Sequence, residues 1–166
     1  MARTTSTPQQ ELPAPVALER TLSYRLHLLH KLTDQESQRA YVQDAGMSMS
    51  DGRCLAAVGS FESLSVNDLA RLANLNKGQA SRAAQSLVDQ GLVRKKTSPT
   101  DARGVVLTLT AAGRRKWQRT MKVIEQRNLQ IFGGLSEREQ AQLSKVFDRL
   151  IEQARASATG SGSEDA

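Results

Sequence analysis

The feature that most constrains this chain is a series of short polar residues between Ser65 and Thr110, each standing just ahead of an apolar pattern. Ser65 with Asp68 makes a capping pair, and Leu69, Leu72 and Ala73 then supply the buried face of a short helix. Asn74-Leu75-Asn76 reads as a turn. Asn76 caps a second helix with Ala80, Ala83, Ala84, Leu87 and Val88 inward, and Gly91 stands where a helix closes in a left-handed residue. Two stretches rich in branched residues follow, 92–96 and 105–109, separated by a polar and basic segment, which predicts a hairpin with a long tip. Two helices joined by a tight turn form a helix-turn-helix, and the hairpin adds a wing.

The flanks read as helices. Leu18, Leu22, Leu26, Leu29 and Leu32 keep one helical stripe, predicting a long amphipathic helix that reaches about Gln43 and ends at Ala45-Gly46. Ser48 with Asp51 opens a helix containing Cys54, Leu55 and Val58. Thr110 caps another running through Trp117, Met121, Ile124 and Ile131, and Gly133-Gly134 breaks it. Ser136 with Glu139 opens the last, with Leu143, Val146, Phe147, Leu150 and Ile151 on one side.

The expected fold is therefore mainly α with a small β-hairpin wing: a winged helix-turn-helix lobe plus a helical dimerisation region. The lobe is placed at residues 46–118 and the dimerisation region at 17–45 and 119–156. Residues 1–16 and 157–166 are too poor in apolar side chains to pack and are expected to be mobile tails. With 166 residues, the chain is long enough for a core without disulfides or metal. Its lone Cys54 cannot form an internal disulfide, and neither a signal segment nor a membrane-spanning apolar run occurs. A cytoplasmic protein without membrane association or cofactor is expected.

Charge points to the partner. The formal net charge is +6, and between Arg53 and Arg119 twelve Lys and Arg face only four Asp and Glu. The basic excess thus falls on the winged segment, as a protein that neutralises phosphates requires. Once the Ala and Leu positions of 77–90 are buried, Lys77, Gln79, Ser81, Arg82, Gln85 and Asp89 remain outside. Arg82 suits a two-pronged contact to guanine, Gln79 or Gln85 one to adenine, and Ser81 or Lys77 a phosphate. Arg94, Lys95 and Lys96 line the first strand of the wing, and Arg103 near its tip suits the narrow minor groove. Asp101 is expected to hold the tip in shape by accepting from loop amides or an arginine. The expected partner is double-stranded DNA.

The stretches SVNDLARLANLNKGQASRAAQSLVDQGLVRKK and SPTDARGVVLTLTAAGRRKW resemble the MarR (multiple antibiotic resistance regulator) family, with the resemblance extending over roughly residues 18–155. The coupling of the helix-turn-helix to a D-A-R wing and to L-T-L-T-A-A-G makes it specific. It implies a triangular homodimer held by the first, fifth and sixth helices, with two winged lobes on a pseudo-palindrome. It also implies Arg103 in the minor groove with Asp101 as loop partner, and Gln79, Ser81 and Arg82 in the major groove. Two positions depart from the family: Gly52, where a larger residue is usual and a pocket is expected to open, and Gly78, in the first turn of the reading helix.

Many relatives release DNA when a small aromatic anion enters the cleft between dimer helices and lobe. Arg20, Tyr24, His27, His30, Arg53 and Trp117 offer cationic, hydrogen-bonding and aromatic groups for such a carboxylate. Repression relieved by that ligand is the expected mode. A non-catalytic winged-helix interaction module and a redox- or metal-responsive regulator are the alternatives. Cys54 lies in an apolar stretch and reads as a small core residue, and His27 with His30 lacks the further ligands a metal needs. No nucleophile motif, phosphate loop or isolated carboxylate pair suggests an enzyme.

Overall fold

A threonine, not the leading leucine, sets where the first long helix begins. In the computed structural model, which describes residues 16–97 and 104–160, Leu18–Arg20 form a single 3-10 turn. Thr21 is extended, and its hydroxyl donates to the Leu18 carbonyl at 2.7 Å. Helix α1 therefore runs Leu22–Ala40, and Leu18 lies outside it. The chain forms two compact units, Met1–Glu36 and Ser37–Ala166, so most of α1 belongs to the first. There Leu22, Leu26, Leu29 and Leu32 keep the expected stripe, but all four are exposed.

In the second unit the end of α1 widens into a π-type turn, Tyr41–Ala45, which Gly46 closes at φ 60°. The expected ending at Ala45-Gly46 is found, reached through a looser turn than a straight helix. Helix α2 (Met49–Phe61) starts at Ser48, whose side chain accepts from the Asp51 amide. Helix α3 (Val66–Leu72) starts at Ser65 in the same way, and the Ser65 hydroxyl also donates to Asp68 Oδ2 at 2.7 Å. Those hydrogen bonds, with the nearby Arg71 guanidinium, hold the Asp68 carboxyl below its usual range.

Helix α4 (Lys77–Asp89) has a reciprocal cap: Asn76 Oδ1 accepts from the Gln79 amide at 2.8 Å, and Gln79 Oε1 accepts from the Asn76 amide at 3.1 Å. Gly91 follows at φ 67°. Strands β1 (Val93–Thr97) and β2 (Val105–Leu109) pair antiparallel, with Val93 opposite Leu109 and Thr97 opposite Val105. A third rung comes from the α2–α3 link, where Leu64 O accepts from the Leu107 amide at 2.8 Å.

Thr110 caps α5 (Ala111–Phe132) by accepting from the Gly113 amide, while its own hydroxyl donates to Gly91 O at 2.7 Å. One side chain thus begins α5 and fastens it to the end of α4. Ser136 and Glu139 cap α6 (Glu137–Gly160), which continues four residues into the stretch expected as a tail from 157. No described helix is long and apolar enough to cross a membrane.

The core sits under the helix-turn-helix. Leu55, Leu69, Leu87 and Leu107 are fully buried, with Cys54, Val58, Ala80, Ala83 and Ala84 around them. Burying each such leucine stabilises the fold by about 1.5–3 kcal/mol, and the small alanines let α4 lie close against its neighbours. Gly113 is demanded by proximity, because a Cβ there would overlap the Leu92 carbonyl. Gly52 opens no pocket, contrary to the expectation: the ring of Tyr41 already occupies the space that a side chain would fill. Trp117 lies over Gly59 in the same manner.

Candidate DNA-binding surface

A reading helix must be held firmly on one side and leave hydrogen-bonding groups on the other. Helix α4 is anchored through Ala80, Ala83, Ala84 and Leu87, while Lys77, Gln79, Ser81, Arg82 and Gln85 are exposed. Beyond its apolar face, Ser86 Oγ donates to Asp51 Oδ2 at 2.9 Å and accepts from Gln90 Nε2 at 2.9 Å. Asp51 thus starts α2 and also ties α4 to it, a role the sequence pattern did not reveal. A groove lined by Ser50, Asp51, Gln79, Arg82, Ala83 and Ser86 runs beside the helix.

The exposed side chains are not equally available. Both ends of Gln85 are engaged, since Nε2 donates to Asp89 Oδ1 at 2.7 Å and Oε1 accepts from Lys95 Nζ at 2.9 Å. Gln79 Oε1 accepts within the cap, so the orientation of its amide is set before any contact to adenine. Among the described residues, Lys77, Ser81 and Arg82 have no such side-chain partner. A Cβ on Gly78 would meet only Asn76 Oδ1 and Arg82 at ordinary van der Waals distance, so this glycine is not required by space.

On the wing, strand alternation divides the basic residues. Lys95 shares a face with buried Val93 and reaches α4, whereas Arg94 and Lys96 point to the other face, where Arg94 Nε donates to Thr108 Oγ1 at 3.4 Å. Arg94, Arg114, Ser63 and Thr108 line a cleft of about 190 Å³ at the root of the wing. Asp101 and Arg103, at the expected tip, lie outside the described residues.

The arrangement of capped α3, tight turn, α4 with an exposed polar side and a two-stranded basic hairpin is that of a winged helix-turn-helix. A sequence model of the MarR family matches residues 45–104, the stretch from α2 into the wing. Residues 45–104 thus carry the MarR family pattern. The chain resembles a family of DNA-binding transcriptional regulators. It is 22% identical over 112 residues to the HTH-type transcriptional regulator BilQ of Clostridium symbiosum, covering 68% of this chain and 78% of BilQ.

Its fold is also that of Bordetella bronchiseptica BpsR, whose DNA binding is regulated by 6-hydroxynicotinic acid. The TM-score is 0.72 at 19% identity, over 82% of this chain and 96% of BpsR. The Mycobacterium tuberculosis MarR family protein Rv2887, solved in complex with salicylic acid, matches with a TM-score of 0.63 at 24% identity, over 78% of this chain and 96% of that one.

The residues expected to hold a ligand divide between the two compact units. Arg20 ends the 3-10 turn, and Tyr24, His27 and His30 lie exposed on α1, all within Met1–Glu36. Arg53 and Trp117 lie in the second unit and are half-buried. Arg53 stands near Tyr41, whose hydroxyl is pushed up by burial and pulled partly back by that guanidinium. Trp117 covers Gly59, six residues and about 9 Å further along α2. Its indole N–H is buried and, among the described residues, has no hydrogen-bond partner. Cys54 is fully buried, and burial, helped by the charge of Asp51, pushes its thiol up to about 12. Such a thiol is held in its unreactive form. Among the described residues no group of three His, Cys, Asp or Glu is placed to hold a metal.

Proposed function

We propose that this regulator is a homodimeric repressor that binds a pseudo-palindromic operator and is released by a small aromatic carboxylate. The observation that carries the reading is α4 itself: a capped helix, locked to the core by alanines, with Ser81 and Arg82 exposed beside a basic wing. Arg82 serves guanine in the major groove, and Lys77 and Ser81 serve phosphate or a neighbouring base. Arg94 and Lys96 approach the backbone from the wing, with Arg103 in the minor groove and Asp101 shaping the tip. Gln79, Gln85 and Lys95 belong to the same surface through the hydrogen bonds that order it.

Dimerisation is supported by apolar side chains that the single chain leaves in water. Leu22, Leu26 and Leu32 on α1, and Leu129, Leu150 and Ile151 on α5 and α6, are each between 46% and 80% exposed. A stripe of that kind is stable in solution when a second copy covers it. A dimer lying across a promoter blocks polymerase without further contacts, which makes repression the simplest outcome in the cytoplasm where the DNA lies.

The effector class rests on BpsR and Rv2887, whose ligands are both aromatic carboxylates. Arg20, Tyr24, His27 and His30 in the first unit, and Arg53 and Trp117 in the second, each carry groups of the matching chemistry: cations and hydrogen-bond donors for a carboxylate, rings for an aromatic face. The test combines three measurements on the full chain. Sedimentation at micromolar concentration gives a dimer, and selection from random duplexes yields a two-fold symmetric site. Benzoate, salicylate or a pyridine carboxylate then releases that site and raises the melting temperature of the free protein. A stable monomer, an asymmetric site, or release by none of these acids would each remove the corresponding element.

A further inference from the structure

The two amide ends of Gln85 are both spent inside the protein, and this changes what the middle of α4 does on DNA. Gln85 lies one turn beyond Ser81 on the exposed side of α4, where a base-reading side chain belongs. Yet Nε2 donates to Asp89 Oδ1 at 2.7 Å, and Oε1 accepts from Lys95 Nζ at 2.9 Å. The acceptor end meets an ammonium and the donor end a carboxylate, so both bonds are charge-assisted and each fixes the orientation of the amide for the other. One N–H and one lone pair of the amide remain, but the two bonds fix its orientation, and turning it to face adenine would give them up.

We propose that Asp89, Gln85 and Lys95 form a strut that sets the angle between the reading helix and the wing, and that Gln85 and Lys95 are positioning residues, not base or phosphate contacts. Lys95 is suited to this because it shares the face of β1 that holds Val93 in the core, whereas Arg94 and Lys96 face the other way. The strut spans ten residues of sequence and bridges the turn at Gln90–Leu92. That turn is already pinned from behind by the Thr110 hydroxyl on Gly91 O. The wing root is thus held on one side by Thr110 and on the other by Lys95. With both in place, the distance between a major-groove contact at Arg82 and the adjacent wing contacts is fixed before DNA arrives, and preorganised groups bind with less ordering cost.

The inference rests on the DNA-binding assignment, and two measurements keep the two apart. In the free protein, Lys95→Met and Asp89→Asn each shift the side-chain amide resonances of Gln85. Unshifted resonances in both variants would overturn the strut whatever the protein does with DNA. On a selected operator, Gln85→Leu and Lys95→Met each weaken binding by about three- to tenfold, and the double variant is no weaker than the weaker single one. The base preferences of Gln85→Leu keep the wild-type profile, lowered evenly. Loss of preference at a single base pair would instead make Gln85 a reader. A multiplicative double variant, with the salt slope falling by about 0.9 on Lys95→Met alone, would make Lys95 an independent phosphate contact. If the wild-type chain selects no sequence, the DNA-binding assignment has failed, and the resonances decide the strut alone.

Discussion

Helices α4 and α1 are both amphipathic, and the two end in opposite situations. On α4 the apolar residues are mostly alanines and the helix sinks them, with Ala80 and Leu87 fully buried and Val88 half-buried. On α1 they are leucines, and the chain leaves Leu22 80% and Leu26 58% exposed. Periodicity therefore tells which face of a helix seeks cover, while residue size tells what kind of cover. Alanines allow close approach within one lobe, whereas a stripe of large leucines offers area to a partner.

The comparison is sharpened first by Gly113→Ala. The new methyl meets the Leu92 carbonyl, part of the backbone that joins α4 to the wing, so relief requires the chain itself to shift. A loss of about 3 kcal/mol or more is expected, read as a fall in the urea midpoint, with the wing displaced. Next come Leu87→Ala and Leu26→Ala, measured side by side. Leu87→Ala costs about 2–5 kcal/mol of unfolding free energy at any protein concentration, because it empties the lobe's own core. Leu26→Ala shows its effect as a rise in the dimer dissociation constant; an equal, concentration-independent loss in both would end the contrast.

Arg82→Ala and Arg103→Ala leave the melting temperature unchanged and weaken operator binding by about 1–3 kcal/mol, relaxing preference at one position each. Wild-type affinity in either variant would take that arginine off the interface. The smallest expected effect is a gain. Gly78→Ala adds a methyl in ordinary van der Waals contact in the first turn of α4 and stabilises the protein by about 1 kcal/mol, seen in thermal unfolding. A loss would show that the glycine serves a close approach absent from the free protein.

What the sequence made legible was local. Every helix start in the lobe depends on a side chain and an amide three residues apart, so Ser48, Ser65, Asn76 and Thr110 announce themselves. The π-type turn at Tyr41–Ala45 and the filling of the Gly52 space by Tyr41 depend on residues eleven apart meeting across a bend, which no helical period encodes. The candidate site divides the same way. The outward set on α4 follows from where its alanines fall, but the engagement of Gln85 by Lys95 arises only when the hairpin folds back. Arg20, Tyr24, His27 and His30 follow from their chemistry, and all four are exposed. Asp101 and Arg103 were placed by the hairpin pattern and by the resemblance together, and both lie outside the described residues.

Trp117 is the only tryptophan in the chain, and it rests against a glycine with its indole N–H buried and, among the described residues, unpaired. That pairing gives the molecule a built-in optical gauge. An indole shielded from water and lacking an acceptor emits at short wavelength, and any separation of α5 from α2 would let water reach the nitrogen and move the emission to the red. Intrinsic fluorescence thus reports motion between these two helices without a label, and a substitution at Gly59 large enough to lift the ring would set the scale for the fully open signal.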